Sequence, residues 1–181
     1  MDKVVNFILF QAGWFASVLL GTTSYFYLGP IAVAAIVLYH LKTIPSPSKE
    51  IPLLMFALVI GVVWENLLTF SGLLVYPNGQ WMGIFAPVWI IAMWPLLAIT
   101  LNLSLRWLKG NYLVAMAFGA IGGPLAFWAG ERLQAVVFTD MFMAMIMLSI
   151  GWALLFPLLM KLSTRHDGYI PALQKTTGDA R

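Results

Sequence analysis

Apolar residues run through this chain in six long stretches that are separated by short polar breaks. The stretches cover residues 4–20, 25–41, 51–74, 84–105, 112–130 and 136–162. A helix needs about 20 apolar residues to cross the hydrocarbon core of a bilayer, and unbroken runs near this length are typical of spanning helices. We therefore predict an all-α fold, an integral membrane bundle of six transmembrane helices.

The breaks between the stretches have the composition of turns, and the end of the chain is polar. The break at 76–80 contains a proline and an Asn-Gly pair, which suit tight turns. Gln11 interrupts the first stretch, and the chain then continues to span, which argues against a cleaved signal peptide. The predicted organisation is a six-helix transmembrane domain over residues 1–162 and a polar cytoplasmic tail over residues 163–181.

The overall composition excludes a soluble domain. Of the residues, 61% are hydrophobic and 9% are charged, whereas soluble domains average about 25% charged residues. Cysteine is absent, so the sequence offers no disulfide framework, cysteine nucleophile or cysteine metal site. It also lacks an H-E-x-x-H pair, a Gly-rich phosphate loop and a nucleophile elbow. We predict no metal site and no cofactor, and the sequence leaves open whether the protein is an enzyme.

The positions of the basic residues predict the orientation in the membrane. With six helices, both termini lie on one side, and nine of the ten Lys and Arg residues fall on that side. These nine are Lys3, Lys42, Lys49, Arg106, Lys109, Lys161, Arg165, Lys175 and Arg181. Only Arg132 falls on the other side. Because loops rich in Lys and Arg stay in the cytoplasm, we predict two cytoplasmic termini. Orientation explains these charges, so no nucleic-acid partner is predicted.

Two neighbouring stretches, 84–105 and 112–130, are predicted to form a packed helix pair joined by a basic turn. In the second stretch, Ala115, Gly119 and Gly123 recur at every fourth position. Small residues at this spacing allow helix backbones to approach closely in a membrane. We therefore predict that the fifth helix is the most buried one.

Glu65 is the first candidate for a functional residue. It lies 14 residues after Ile51, at about 21 Å along a helix, which places it between the midplane and the outer leaflet. A carboxylate at this depth is costly and usually faces a cavity or a partner. Gly61 and Thr69 share its side of the helix, so we predict that Glu65 points into the bundle with Asn66 beside it.

Three charged residues at the outer ends of the fifth and sixth helices form a second candidate group: Glu131, Arg132 and Asp140. Arg132 is the only basic residue on that side, so we expect it to pair with Glu65, Glu131 or Asp140, and the contact with Glu65 is the foremost of these. One interpretation is an outer polar pocket for a lipid headgroup or an amphipathic small molecule, in which Glu65, Asn66 and these three residues bind the ligand. The other is a structural ion pair that holds the helix ends.

The inner side offers polar residues without a convincing catalytic arrangement. His40 can act as an acid or base near neutral pH. Glu50 and Asp167, however, are assigned to a loop and to the tail, so we expect no carboxylate beside it. A serine–histidine–aspartate triad is therefore not predicted. Asn102 is interpreted as a hydrogen-bonding residue between helices.

Three runs of sequence carry a resemblance to a known family: NFILFQAGWF (6–15), APVWIIAMWPLLAITLNLSLRWL (86–108) and GAIGGPLAFWAGERL (119–133). The chain resembles a family of small uncharacterised multi-pass bacterial inner-membrane proteins, a domain of unknown function, over most of residues 6–160. The resemblance implies the inner membrane of a Gram-negative bacterium. It also favours lipid chemistry, because some members are encoded near fatty-acid-modifying enzymes. It implies no catalytic residues.

Three functions fit this sequence. The first is binding or processing of a lipid or other amphipathic small molecule at an outer-leaflet polar pocket, with Glu65 on a cavity wall. The second is a small transporter or exporter subunit with a polar path from the outer group to Asn102, His40 and Gln11. The third is a membrane scaffold or assembly factor without a site. We favour the first, with membrane lipids as partners and a homo-oligomer or a membrane-enzyme partner as a further candidate.

Overall fold

The computed structural model describes residues 1–169, and the described chain is almost entirely helical. Its six α-helices are α1 (Lys3–Gly21), α2 (Leu28–Thr43), α3 (Pro47–Phe70), α4 (Val88–Leu101), α5 (Tyr112–Arg132) and α6 (Met141–Arg165). A 3₁₀ turn, Arg106–Leu108, joins α4 to α5. Two short antiparallel strands, β1 (Leu74–Val75) and β2 (Val137–Phe138), pair at one end of the bundle. The predicted all-helical fold with six helices is confirmed.

Four of the six helices, α1, α3, α5 and α6, are long and apolar enough to cross a membrane. The other two are apolar but shorter, with 16 residues in α2 and 14 in α4. At 1.5 Å per residue they reach about 24 Å and about 21 Å, less than the roughly 30 Å of a hydrocarbon core. The predicted stretch 84–105 was too long because Pro87 precedes α4 and the helix ends before Asn102.

The centre of the bundle is α4, which packs against α1, α2, α3 and α6. Leu96, Ala98 and Ile99 on this helix are completely buried. The prediction that the fifth helix is the most buried was therefore wrong, and α5 packs mainly on α6 instead of pairing with α4. The α5–α6 contact is close because Gly119 and Gly123 of α5 have no side chains at the positions where the backbone and ring of Trp152 of α6 pack.

The outer end of the bundle, opposite residues 1 and 169, is closed by the loop 71–87 and the strand pair. Thr139 holds the loop through its backbone N–H, which donates to the Leu73 carbonyl at 3.1 Å, and its hydroxyl, which donates to the Gly72 carbonyl at 2.6 Å. Tyr76 then turns inward and is buried. Residues 136–140, predicted as helix, lie in this closure, and α6 begins at Met141.

At the inner end, where residues 1 and 169 lie, the chain stays packed beyond the predicted helix boundary at residue 162. The helix α6 continues to Arg165. The Gly168 backbone N–H donates to Glu50 Oε2 at 3.1 Å, and the Gly168 carbonyl accepts from the Ser46 N–H at 2.9 Å. The first seven residues of the predicted tail thus pack against the bundle, and the rest of that tail, 170–181, lies outside the described residues.

Candidate functional site

An elongated cavity of about 520 Å³ lies between α1, α4 and α5. It forms because α1 packs on α2 and α4 while α5 packs on α6, which leaves a cleft between α1 and α5 with α4 as its floor. Its wall is mostly aromatic and aliphatic, and Phe7, Phe15 and Leu125 line it while remaining exposed on the bundle surface. The volume falls within the range of about 300–1,000 Å³ that is typical of small-molecule sites.

Glu65 lies on the wall of this cavity. Its side chain is 1% exposed. Tyr76 donates its hydroxyl hydrogen to Oε2 at 2.9 Å, and Trp94 donates its indole N–H to Oε1, also at 2.9 Å. Each carboxylate oxygen therefore has a protein donor, and each keeps a lone pair for a further partner.

The two donors are themselves held in place. The Trp94 ring stacks on Trp152 of α6, with ring centroids 4.9 Å apart and an interplanar angle of 13°. Tyr76 packs edge-on against Trp89. Burial and the neighbouring Glu65 carboxylate keep the pKa of Tyr76 well above its ordinary value. The Tyr76 hydroxyl therefore remains a neutral donor, and the geometry around Glu65 is rigid.

The structure does not bring the other predicted outer residues to Glu65. Asn66 donates to the Val62 carbonyl at 2.7 Å and accepts from the Ala86 N–H at 3.0 Å, so it fastens the outer loop. Asp140 caps α6 by accepting from the Met143 N–H at 3.0 Å. Both residues have structural contacts outside the cavity.

Glu131 and Arg132 lie at the outer end of α5. Glu131 borders a shallow outer recess together with Thr22 and Asn78. Arg132 is exposed, and the ion pairs among residues 1–169 do not include it. The expected contact between Arg132 and Glu65 is absent because Arg132 is exposed at the end of α5, whereas Glu65 is buried and accepts hydrogen bonds from Tyr76 and Trp94.

A buried pair at the inner end was missed by the sequence reasoning. His40 Nε2 lies 2.8 Å from Glu50 Oε1, and both side chains are completely buried. Glu50 is not in a loop but in the first turn of α3. The signal was available: His40 ends one helix, Glu50 begins the next, and an antiparallel turn of a few residues brings such positions together. His40 Nδ1 has no hydrogen-bond partner within the described part of the chain.

A second inner cluster surrounds Asp167. Arg106 and Lys109 each approach Asp167 Oδ2 within 2.8 Å, and Lys109 also donates to Asn102 Oδ1 at 2.6 Å. Burial by itself would raise the pKa of Asp167. The hydrogen bonds from Lys109 and from the Tyr169 N–H, together with the two cations, lower this pKa by more than burial raises it, so the net shift is downward. Asn102 links helices as predicted, through its donation to the His166 carbonyl at 2.9 Å.

The chemistry that these sites offer differs between the two ends. In the inner clusters, the carboxylates of Glu50 and Asp167 are held by ion pairs and hydrogen bonds, and these contacts join the C-terminal end of α6 to α3 and the 3₁₀ turn. No group of three metal-ligating side chains occurs within residues 1–169. The cavity, by contrast, combines free volume, a mostly apolar wall and a hydrogen-bonded carboxylate, a combination that is common in small-molecule sites.

Comparison with known proteins identifies one family. A family model described as "Protein of unknown function (DUF2878)" matches residues 3–158. No curated protein and no solved structure matches the chain. The matched residues include Glu65 and the entire wall of the cavity.

Proposed function

Because the chain belongs to the DUF2878 family, whose description assigns no activity, we propose a function from its architecture and its cavity. The protein is a multi-pass protein of the bacterial inner membrane, with six spans and both termini in the cytoplasm. It holds a lipid or another amphipathic small molecule in the cavity between α1, α4 and α5. Glu65 is the polar contact for that molecule.

Two features support six spans, although α2 and α4 are short. Irregular backbone is tolerated at membrane depth where protein covers it, and Ala86 and Leu103 at the two ends of α4 are buried. Nine of the ten Lys and Arg residues lie on the side of the termini in a six-span arrangement, which supports cytoplasmic termini by the positive-inside rule.

The observation that carries the ligand proposal is the position of the Glu65 carboxylate on the wall of an apolar cavity. The rim of that cavity is exposed on the bundle surface that would face lipid. In the bilayer, hydrocarbon chains surround the exposed rim residues Phe7, Phe15 and Leu125. An amphipathic molecule can enter such a cleft sideways without crossing water. A carboxylate in the membrane is costly unless it has polar partners, and the free lone pairs of Glu65 give a ligand's polar group a contact that lipid tails cannot provide.

A cavity-filling variant tests this proposal. Gly122 lines the cavity, and the nearest atom to a Cβ added there is Phe118 Cε1 at 3.9 Å. Gly122→Leu should therefore occupy the cavity without disturbing the packing of α5 on α6. Ala117→Leu is the matched control, since Ala117 is exposed on the same helix and lies outside the cavity wall.

The measurement is mass spectrometry of the small molecules that co-purify with each protein. We expect wild type and Ala117→Leu to carry the same lipid-like species at equal stoichiometry. Gly122→Leu should lose it, and Glu65→Gln should retain less of it. Equal recovery in all four proteins would contradict the cavity as the site, and the absence of any species from wild type would favour a scaffold without a ligand.

A further inference from the structure

Three N–H donors line the cavity without an acceptor in the described part of the chain. They are the side-chain amide of Gln11, the indole of Trp14 and the indole of Trp152. The Trp152 Nε1 atom is buried and unpaired. Gln11 and Trp14 are three residues apart on α1, so they share one face of that helix.

The other polar groups on the wall differ because the protein itself satisfies them. Ser104 donates to Asn6 Oδ1 at 2.7 Å, and Thr100 donates to the Leu97 carbonyl at 2.6 Å. The Trp94 indole and the Tyr76 hydroxyl both donate to Glu65. The three unpaired N–H groups therefore share one property, which is that each requires an acceptor, while Glu65 and the amide oxygen of Gln11 can still accept.

The depth of Gln11 makes its unpaired amide informative. It lies eight residues after Lys3 in a helix of 19 residues, which is about 12 Å along a length of about 28 Å and thus near the middle of the membrane. Water is not available there to satisfy a polar group, and apolar cavities stay dry. Buried Trp N–H groups likewise usually find an acceptor.

We propose, building on the ligand function above, that the molecule in the cavity carries a carbonyl-type oxygen in the middle of the membrane and receives hydrogen bonds from Gln11 and from at least one facing indole. The ligand class is an elongated lipid with an acyl ester, a carboxyl group or a quinone carbonyl. The cavity wall runs along α5 from Phe118 to Gly130, about 18 Å of helix, so it suits one extended chain.

The test uses purified protein in detergent and competition between defined probes. A brominated fatty-acid methyl ester quenches the fluorescence of the tryptophans on the cavity wall when it binds. Three unlabelled competitors then displace it: the plain methyl ester, a quinone with an isoprenoid tail, and an alkane of matched length that has no oxygen. The ester and the quinone separate the two sources of a carbonyl oxygen.

We expect the ester, the quinone or both to compete better than the alkane. Gln11→Leu should weaken the preferred carbonyl probe about fivefold to tenfold, the range for one hydrogen bond, and leave the alkane unchanged. Trp152→Phe removes the indole N–H and should act in the same direction. Gln80→Leu makes the same chemical change outside the cavity and should change nothing.

Apo stability separates recognition from a structural role. If Gln11 has no partner in the empty protein, Gln11→Leu should unfold at the same temperature as wild type or higher. A lower temperature would overturn the inference, as would equal competition by the alkane and both carbonyl probes in wild type. A brominated fatty alcohol, which can donate its hydroxyl hydrogen to Glu65, is the second brominated probe, and failure of both probes to quench would instead contradict the proposed ligand function.

Discussion

The two hydrogen bonds to Glu65 predict an inversion of sign when Tyr76→Phe is measured in two backgrounds. In wild type, Tyr76→Phe removes a 2.9 Å hydrogen bond to a buried carboxylate. Leaving one partner of a buried hydrogen bond unsatisfied costs about 1–3 kcal/mol, so the variant should be less stable by that amount. For a chain of this length, 1 kcal/mol corresponds to about 2–4 °C in the unfolding temperature, which gives a decrease of roughly 2–12 °C.

The same substitution should be stabilising when it is combined with Glu65→Leu. Glu65→Leu removes the acceptor from both Tyr76 and Trp94, and each orphaned buried donor costs about 1–3 kcal/mol. Tyr76→Phe then deletes one of these orphans, so the double variant should unfold at a higher temperature than Glu65→Leu alone. The apolar gain from the leucine is present in both proteins and cancels in this comparison.

Thermal unfolding followed by intrinsic fluorescence suits this cycle, because the chain has eight tryptophans. Tyr39→Phe is the control, since Tyr39 is exposed on α2 and should have the same small effect in both backgrounds. Glu65→Gln should be milder than Glu65→Leu, because its amide still offers an acceptor to Trp94 and an N–H to the Tyr76 oxygen. The reasoning fails if Tyr76→Phe changes stability in the same direction in both backgrounds.

Three further predictions concern packing, acid stability and topology. Gly123→Ala should destabilise the fold by about 1–3 kcal/mol, because the added Cβ meets the Trp152 ring. Gly122→Ala should be neutral or stabilise the fold by up to about 1 kcal/mol, because the nearest atom to its Cβ is Phe118 Cε1 at 3.9 Å. Equal unfolding temperatures for the two variants would refute this prediction. Folding lowers the pKa of Asp167, so its contribution to stability is present above about pH 4 and is lost as the pH falls through the pKa of the folded state. Asp167→Asn should therefore lose less stability than wild type below about pH 4. An unchanged dependence of stability on pH would contradict the role of that ion pair. In this cysteine-free chain, a membrane-impermeant maleimide added to intact spheroplasts should label Gln80→Cys but not Ser48→Cys, and the reverse pattern would invert the topology.

The six helices were predictable because a long apolar block is a local property of composition. Long apolar blocks with few charges form helices in lipid whatever their neighbours are, since every backbone group must be satisfied within the segment. The errors in helix prediction fell at the ends of the helices. The closure at 71–87 and the strand pair β1–β2 contain apolar residues such as Leu74, Val75 and Val137, which hydropathy does not distinguish from helix.

The candidate site was predictable only in part. Glu65 stood out because a lone carboxylate within an apolar stretch is rare. Its partners did not, because tryptophan and tyrosine near membrane boundaries usually serve as interface anchors. Tyr76 follows the third apolar stretch, so this rule would make it an interface anchor, whereas the structure turns it inward onto the carboxylate. The charge-based expectation for Arg132 failed because opposite charges attract only where the fold brings them together.

Sequence by itself determined the class of protein, the number of helices and the position of the one carboxylate deep in an apolar segment, because these depend on residues that are neighbours along the chain. Tertiary structure alone decided that α4 is the centre, that α5 packs on α6, and that a cavity opens between α1 and α5. These outcomes depend on how bulky rings such as Trp152 meet glycines such as Gly123. Hydrophobicity favours every helix pairing about equally in lipid, so shape complementarity selects the pairing, and only coordinates reveal shape.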